Sequence, residues 1–581
     1  MTRLLALFST LLLAAACTAP APSVKQPPPA EGRPRRLVIV GINDVHGALL
    51  ASPAPRSLAA WTADPVGGAE WLAGWMDAIR RDVKERGGEV LLIDAGDEFQ
   101  GTLISNQFQG RSVVDAFNAL GVAAAAVGNH EFDFGLPVLL ERMKQARYPM
   151  LAANVFNKGT RERPGWAVPS ALLDVGGLKV GVIGLATVDT PTVTNPLNVA
   201  DLDFVPGGPV AAQEADALRA RGATVVIVTA HAGPFPPARE IQHIAEAVAG
   251  RVDAIVSGHH HTSIGPPPLL VSGIPIVQAG TKLQQFSVID LGLIETGHVA
   301  GFTVNEGTFP TPGAPQPIFH SYQGQAPAFR GKKVEPDAKI AALLLGYDEK
   351  VRRLRESRIG SSEVDLRKGR DGSLGNLVAD ALRSGAGGGL RAEFALQNSG
   401  GLRVPEVPRG SITFGQIFDL YPFDNLQVVV QVPAEAIRDA LETVLRAGKL
   451  PLQVSGFRYT IDWDRFAVLG PDRPRWPPGA LVTEVTDDGG NTLCRTRSCS
   501  PAACDAPCAQ GSRAVSVSDF LANGGDGLSM LKDAPRQVGS VLTRDIVMSY
   551  VKLHDPITGA LVDSGHPRVQ VIGTPLRAQA E

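Results

Sequence analysis

Four apolar runs in the first half of this chain each end in Asp or His side chains. The runs occupy residues 37–44, 89–97, 224–231 and 253–261. Short apolar runs bounded by Gly and polar residues are typical of buried strands, and the segments between these runs have helical patterns. Strands that alternate with helices predict an α/β fold with mostly parallel sheets.

The polar residues at the ends of these runs are candidate metal ligands. In mostly parallel sheets, ligands bind beyond the carboxyl ends of the strands, so residues that follow different strands become neighbours. Seven such residues lie at the ends of the runs or in the segments between them: Asp44, His46, Asp97, Asn129, His231, His259 and His261. Two cations about 3.5–4 Å apart need a bridging carboxylate, and Asp97 is the candidate. The histidines favour transition metals such as Zn, Mn or Co over Mg or Ca. This set predicts two-metal hydrolysis of a phosphate ester.

The motifs around these residues resemble those of a known family. Asp-x-His, Gly-Asp, Gly-Asn-His-Glu, His and Gly-His-x-His follow one another as in calcineurin-like metallophosphoesterases. The longer forms NDVHG (43–47), DAGDEFQG (94–101) and GNHEFDFG (128–135) resemble the 5′-nucleotidase/UDP-sugar hydrolase branch. The resemblance implies an N-terminal four-layer domain, with two mixed sheets flanked by helices. A long helix would join it to a C-terminal α+β substrate-binding domain.

The resemblance also implies a role for each candidate residue. One metal would be bound by Asp44, His46, Asp97 and His261, and the other by Asp97, Asn129, His231 and His259. His130 and Asp133 would form a catalytic pair, whereas His260 occupies the variable position between two ligands. A chance arrangement of polar strand ends is the alternative, and five motifs in a fixed order disfavour it. A non-catalytic nucleotide-binding protein is also disfavoured, because no ligand position is substituted.

Four motifs of the second half resemble the C-terminal domain of the same family: RDGSLGN (370–376), NSGGLR (398–403), YPFDN (421–425) and FLANGGDG (520–527). By this resemblance Arg370 and Arg403 would hold phosphate oxygens, with Asn398 near them. Phe423 and Phe520 would stack on the two faces of a base, and Asp526 would bind the ribose. The guanidinium fork matches phosphate, and aromatic rings stack well on bases.

A chain of 581 residues is too long for one hydrophobic core, so two or more domains are expected. The predicted organisation is a signal peptide (1–17), a Pro-rich spacer (18–35), a catalytic domain (36–306), a connection with a linker helix (307–357) and a substrate-binding domain (358–575). The Pro-, Gly- and Gln-rich segment 307–331 is expected to lie over the surface. Residues 335–357 have helical spacing, with acidic residues early and basic residues late.

The N-terminal residues predict export. One Arg, a short apolar stretch and small residues precede Cys17, as in a signal peptide. Ala14-Ala15-Ala16-Cys17 resembles a bacterial lipobox, which would give a periplasmic or outer-membrane-anchored lipoprotein. Cleavage at an A-x-A site, which would release a soluble secreted protein, is the alternative. This anchor is the only membrane contact that the sequence predicts.

The remaining cysteines, Cys494, Cys499, Cys504 and Cys508, lie within one short segment. An exported chain can keep disulfides, so we expect two local bridges in one of three connectivities. A Cys₄ zinc site is the alternative, although the spacing lacks the usual C-x₂-C pairs.

The predicted substrate is a nucleotide. A net charge of −3 provides no basic face for a nucleic-acid polymer, whereas metals and a few arginines can bind a monomeric nucleotide. We expect release of phosphate from nucleoside 5′-monophosphates, with nucleotide sugars as further substrates. A 2′,3′-cyclic-nucleotide phosphodiesterase and a sulfate thiohydrolase on the same scaffold are the alternatives. The pair Phe423 and Phe520 distinguishes them, because a protein-bound sulfur substrate needs no base clamp.

Overall fold

The structure, a computed structural model, describes residues 35–573 except 56, 235–238, 466–475, 501, 564 and 566. The predicted signal peptide, its cysteine and nearly all of the Pro-rich spacer lie outside the described residues. Among the helices of the described part, none combines the length and apolar character needed to span a bilayer.

The first sheet is mixed and carries the first predicted ligands. Its strands lie in the order Val299–Val304, Gln285–Leu293, Arg36–Ile42, Gly88–Asp94, Val122–Ala126 and Met150–Leu151, with Gln316–Pro317 paired to Gln285–Leu293. The four strands from Arg36–Ile42 to Met150–Leu151 are parallel. Their carboxyl ends therefore meet at one edge, where Asp44, Asp97 and Asn129 follow.

The second sheet carries the remaining predicted ligands. Its strands lie in the order Leu269–Val271, Ile274–Val277, Ala254–Ser257, Val225–Ala230, Leu178–Leu185 and Ser170–Val175. The four central strands are parallel. His231 follows one of them directly, and His259 and His261 follow the next.

The two sheets pack face to face between helices. Ile39, Ile93, Val182 and Ile227 are buried between the sheets. The outer face of the first sheet is covered by Ala69–Glu85, Arg111–Leu120 and Leu136–Gln145, and that of the second by Gly207–Ala220 and Glu240–Ala247. The predicted four-layer α/β arrangement is confirmed. Shorter elements join these layers: Leu103–Asn106, Val155–Asn157, Thr190–Val193, Leu202–Phe204, Ala328–Phe329 and Lys332–Lys333.

The predicted linker helix is present as Ala338–Arg355. It begins later than the sequence pattern suggests because the Asp337 side chain caps it, accepting from the N–H groups of Lys339 and Ile340. The expectation that the preceding connection lies wholly over the surface is wrong. Gln316–Pro317 adds to the first sheet, and the next two residues, Ile318 and Phe319, are buried in its core.

The C-terminal half is built on a five-stranded sheet. Its strands lie in the order Gln453–Ser455, Phe394–Gln397, Ser512–Ser518, Leu426–Pro433 and Arg536–Leu542. Successive strand residues face opposite sides: Phe394 and Leu396 join a core with helix Ala434–Arg446, while Ala395 joins one with helices Ser373–Ser384 and Thr543–Leu553. The predicted α+β class is confirmed, and the domain boundaries stay a prediction.

Smaller elements complete this half. A four-stranded sheet contains Thr492–Arg495, Val482–Asp487, Phe457–Asp462 and Val569–Ile572. Three short strand pairs are Arg358–Ser362 with Gly410–Thr413, Leu366–Arg367 with Glu406–Val407, and Ser498–Cys499 with Cys504–Asp505. Short helices in this half include Phe414–Leu420, Asp519–Ala522 and Gly559–Val562. Disulfides join Cys494 to Cys508 and Cys499 to Cys504. The predicted pair of local bridges is confirmed, with nested connectivity in place of a zinc site.

Candidate metal centre and substrate cleft

Four of the predicted ligands form one cluster. Asp44, His46, Asp97 and His261 offer ligand atoms that all lie within 4.8 Å of one another. His46 Nε2 lies 2.9 Å from His261 Nε2 and 3.7 Å from Asp97 Oδ2. His261 Nε2 in turn lies 3.5 Å from Asp44 Oδ1.

The other three predicted ligands, Asn129, His231 and His259, adjoin this cluster. His231 Nε2 is 3.1 Å from Asp97 Oδ2 and 3.1 Å from Asn129 Oδ1. The ring of His259 packs edge-on against His231, with centroids 5.0 Å apart. The structure therefore brings all seven residues together, and Asp97 Oδ2 lies near a histidine of each group, His46 and His231.

Backbone carbonyls fix the orientation of two of the histidines. His46 Nδ1 lies 2.8 Å from the Gln100 carbonyl oxygen, and His231 Nδ1 lies 2.8 Å from that of Ala95. A carbonyl only accepts, so Nδ1 carries a hydrogen and Nε2 is the ring nitrogen that faces the cluster.

The electrostatics of the cluster fit a cation. Burial lowers the pKa of His46, His259 and His261 well below the ordinary value, which keeps their nitrogens available as ligands. Burial would also lower the pKa of His231, but the neighbouring Asp97 and Asp44 raise it to about 10. Carboxylates that favour a positive charge on His231 would equally favour a divalent metal, which would take the place of the proton on Nε2.

The ligands occupy a strained backbone. Five of them have positive φ: Asp44 (50°), His46 (51°), Asp97 (60°), His259 (78°) and His261 (52°). Such conformations cost on the order of 1–3 kcal/mol each and persist where the surroundings impose them, often at functional sites. Gly128 is required for a related reason, because a Cβ there would lie 2.3 Å from Asp97 Oδ1.

Glu131, which the sequence reasoning did not single out, holds two of these loops together. Its buried carboxylate accepts hydrogen bonds from the backbone N–H groups of Asp97 (2.9 Å), Glu98 (2.7 Å), Phe99 (3.2 Å) and Gly128 (2.7 Å). The signal for this role was its place in the GNHE motif.

The predicted pair His130 and Asp133 is also formed. His130 Nδ1 lies 2.6 Å from Asp133 Oδ2, and Thr194 Oγ1 donates to the other carboxylate oxygen at 2.7 Å. The backbone N–H of His130 donates to Asp97 Oδ1 at 2.9 Å. Burial works to lower the pKa of His130, but Asp133 and Asp97 outweigh it and raise that pKa above its ordinary value.

A cavity of about 1170 Å³ joins the metal-ligand cluster to the C-terminal half. The N-terminal half, which carries the cluster and is called the catalytic half below, lines the cavity with Asp97, Asn129 and His130. The C-terminal half lines it with Asn398, Arg403, Phe423, Phe520 and Asp526. The Phe423 ring stacks on His130, with centroids 5.8 Å apart. Five of the six predicted substrate-binding residues therefore share one cleft with the cluster.

Arg370 is the predicted residue that does not line the cleft. Lys368, two positions earlier, lines it instead and donates from Nζ to the Leu402 carbonyl at 2.9 Å. Burial, with smaller effects of Arg403 and Lys282, lowers the pKa of Lys368 to about 8. Arg403 reaches furthest into the site, with Nη2 2.9 Å from His46 Nε2.

Asp526 lies in a charged contact that the sequence did not suggest. Its Oδ2 accepts from Asn398 Nδ2 at 2.7 Å, and its Oδ1 accepts from Lys449 Nζ at 2.6 Å. Lys449 also lines the cleft. A lone lysine in a loop carries no signal of its own, so this partner becomes visible only when the fold joins the two segments.

Comparisons with known proteins identify two family domains in this chain. Residues 37–263 match the family model of calcineurin-like phosphoesterases, and residues 355–498 match that of the 5′-nucleotidase C-terminal domain. The chain is 29% identical to a snake venom 5′-nucleotidase of Naja atra, over 89% of this chain and 96% of the relative. It is 28% identical to a 5′-nucleotidase of Homo sapiens, over 86% and 84%.

Solved structures extend the likeness to the whole fold. A 5′-nucleotidase precursor of Thermus thermophilus has a TM-score of 0.73 and 27% identity, covering 93% of this chain and 100% of that one. A sulfate thiohydrolase of the same species shares the fold, with a TM-score of 0.67 and 18% identity over 96% and 99%. The chain belongs to the 5′-nucleotidase family, in which a calcineurin-like metallophosphoesterase domain precedes a 5′-nucleotidase C-terminal domain, and it is a metal-dependent phosphoric ester hydrolase.

Proposed function

We propose that this enzyme hydrolyses nucleoside 5′-monophosphates to nucleoside and phosphate, and that nucleotide sugars are further substrates. One observation carries the proposal: the cleft that opens on the ligand cluster and His130 is also lined by Phe423 and Phe520. A reactive centre and two aromatic rings in one cavity suit an ester whose leaving group ends in a base.

Two divalent ions, Zn, Mn or Co, are the proposed cofactors. Asp44, His46, Asp97 and His261 would hold one ion, and Asp97, Asn129, His231 and His259 the other. Bound ions would activate water and neutralise charge on the phosphoryl oxygens. The buried carboxylates and the fixed histidine tautomers support this assignment.

His130 is the proposed acid of the reaction. Its Nδ1 is engaged by Asp133, and its raised pKa favours the protonated ring. A protonated imidazole in the cleft can donate a proton to the leaving alkoxide or a hydrogen bond to the phosphoryl group. Asp133, itself oriented by Thr194, would hold the ring in that position.

The C-terminal half would bind the rest of the nucleotide. Arg403, beside the cluster, and Lys368 are the proposed cations for the phosphate, a role that the geometry favours for Lys368 over Arg370. Phe423 and Phe520 would hold the base, while Asn398 and Asp526 would bind near the ribose. Base stacking is worth about 1–3 kcal/mol per base by alanine substitution.

A sulfate thiohydrolase is the second candidate, because one such enzyme shares the fold. At 18% identity that likeness concerns the fold alone. The two phenylalanines in the cleft favour a nucleotide, since a sulfur group on a carrier protein has no base to stack.

We also propose that the enzyme acts outside the inner membrane. The N-terminal residues up to Cys17 have the pattern of a signal peptide and lipobox, and the two disulfides fit an oxidising compartment. A periplasmic or outer-membrane-anchored lipoprotein is proposed, with a secreted form as the alternative. Mass spectrometry of the mature N-terminus from its native host would distinguish lipidated Cys17 from simple cleavage.

The proposal is tested by measuring the products formed from AMP, ribose 5-phosphate, ATP, UDP-glucose, a 2′,3′-cyclic nucleotide and bis-p-nitrophenyl phosphate with added Mn²⁺ or Zn²⁺. Free phosphate reports on the first three substrates, chromatography of the nucleotides on UDP-glucose and the cyclic nucleotide, and p-nitrophenol on the last. Comparison of the wild type with Phe423→Leu, which keeps the apolar volume and removes the ring, isolates base stacking. AMP should be the best substrate, and Phe423→Leu should raise its KM without raising the KM for ribose 5-phosphate, which has no base to stack. Preference for the cyclic nucleotide, or equal KM values for AMP in the two proteins, would contradict it.

A further inference from the structure

Two donors of the catalytic half reach backbone carbonyls of the C-terminal half. Asn106 Nδ2 donates to the Pro422 carbonyl at 2.8 Å, and Lys282 Nζ donates to the Arg403 carbonyl at 3.0 Å. Pro422 directly precedes Phe423. Each contact therefore ends on a loop that carries a cleft side chain, Phe423 in one case and Arg403 in the other.

On the catalytic side, both donors are tied to metal-ligand loops. Asn106 Oδ1 accepts from the Gly101 N–H at 2.9 Å, and the preceding residue, Gln100, orients His46 through its carbonyl. The backbone N–H of Lys282 donates to the Asp44 carbonyl at 2.8 Å. Thr281 Oγ1 donates to the same carbonyl, also at 2.8 Å.

The surroundings make these contacts costly to break. Asn106 is 9% exposed, and Leu103 and Ile104 of its short helix pack on Phe418 of the C-terminal half. Lys282 has a φ of 57°, a conformation that a lysine rarely adopts. An amide as buried as that of Asn106 is left without solvation when it loses its acceptor, whereas the half-buried ammonium of Lys282 loses part of its solvation. The carbonyl of Pro422 also accepts from Arg544 Nη1 at 3.2 Å. This second hydrogen bond, from within the C-terminal half, would still hold the Phe423 loop if the bond from Asn106 were lost.

We infer that Asn106 and Lys282 are positioning residues that fix the loops of Phe423 and Arg403 over the metal centre. They would not bind substrate themselves. Because the inference rests on the proposed nucleotide substrate, it concerns how a nucleotide held by one half is presented to the other. Turnover should therefore depend on these residues more than nucleoside binding does.

Lys282→Met and Asn106→Asp test the inference. Lys282→Met removes the ammonium, while the backbone N–H that supports Asp44 remains. Asn106→Asp keeps the acceptor for Gly101 and replaces the donor to Pro422 with a second oxygen. Each variant should lower kcat for AMP by roughly tenfold to a hundredfold, because each loses one hydrogen bond from a charged or buried donor.

Three readouts separate positioning from general damage. Metal content measured by elemental analysis and adenosine affinity measured by calorimetry should remain close to those of the wild type, and Tm should fall no further than in the control variant Asn118→Asp. Lys282→Arg, which keeps a charged donor, should restore part of the lost kcat. Asn118→Asp is the matched control, because Asn118 Nδ2 donates to the Gln145 carbonyl at 3.1 Å and Oδ1 accepts from the Arg147 N–H at 2.6 Å. It has the same bonding pattern outside the cleft, and kcat should not change.

The inference is overturned if kcat is unchanged in both variants, or if metal content or adenosine affinity falls in proportion to kcat. Failure of the proposed function gives a different result: the wild type would then not hydrolyse AMP but would hydrolyse another ester of the panel. The same variants measured on that ester would still test the positioning role.

Discussion

Replacing His130 with alanine should lower kcat for AMP by about 10²–10⁴, the range for a positioned general acid or base. This corresponds to about 2.7–5.4 kcal/mol of activation free energy. A value in this range is expected because the ring is buried beside the cluster, held by Asp133, and protonated more readily than an ordinary histidine.

The loss should be confined to turnover. The hydrogen bond from His130 to the cluster comes from its backbone N–H, which donates to Asp97 Oδ1 and is retained in the alanine variant. The ring itself contacts Asp133 and Phe423, which are not among the seven proposed ligands, and packs edge-on against the ligand His46 with ring centroids 5.2 Å apart. Alanine removes this edge contact, whereas the backbone carbonyl of Gln100 still holds the His46 ring. Metal content should therefore stay unchanged while kcat falls.

The assay is phosphate release at saturating AMP with added Mn²⁺, together with elemental analysis of the purified protein. His298→Ala is a suitable control, because His298 is exposed and its ring is hydrogen-bonded to Thr296. Unchanged kcat in His130→Ala would remove His130 from the role of acid. A parallel loss of metal and activity would assign it a structural role instead.

Three further predictions concern pH, the phosphate site and stability. Asp133→Asn removes the charge that raises the pKa of His130, so the alkaline limb of kcat should move to lower pH; an unmoved limb would contradict this. Lys368 should lose its charge above a pH of about 8 and then bind phosphate less well, so the KM for AMP should rise with pH in the wild type but not in Lys368→Arg. Arg370→Met should leave the KM for AMP unchanged, because Arg370 does not line the cleft. Replacing Cys494 and Cys508 by Ser opens a loop whose ends are 14 residues apart. This should cost about 3 kcal/mol and lower Tm by several degrees, without a change in kcat, as calorimetry and the phosphate assay can check.

The metal-ligand cluster could be predicted from the sequence because its geometry follows from topology. Asp44, Asp97 and His231 each come at or just after a strand of a parallel sheet, and parallel strands bring their carboxyl ends to one edge. No information beyond the apolar runs and the order of motifs was needed to bring these residues together.

The cleft was less predictable because it depends on the backbone of turns. Lys368 and Arg370 are both basic and two residues apart, and which of them points into the cavity is decided by the turn before helix Ser373–Ser384. Lys449, Asn106 and Lys282 carry no motif. Their roles arise from contacts with residues 77, 316 and 121 positions away in the sequence.

The buried part of the connection was missed for a related reason. Ile318 and Phe319 are two adjacent apolar residues in a segment rich in Pro, Gly and Gln, and a run of two is too short to predict a core position. The strand Gln285–Leu293 places them there by pairing with Gln316–Pro317, a contact that periodicity within the segment does not encode.

The central claim, that the cluster is a metal centre serving nucleotide hydrolysis, is tested most directly by phosphate release from AMP before and after chelation. The chelated protein should be inactive, and addition of Mn²⁺, Zn²⁺ or Co²⁺ should restore turnover as two ions bind per chain. Activity that is insensitive to chelation, or binding of AMP without release of phosphate in the presence of each of these ions, would contradict the claim.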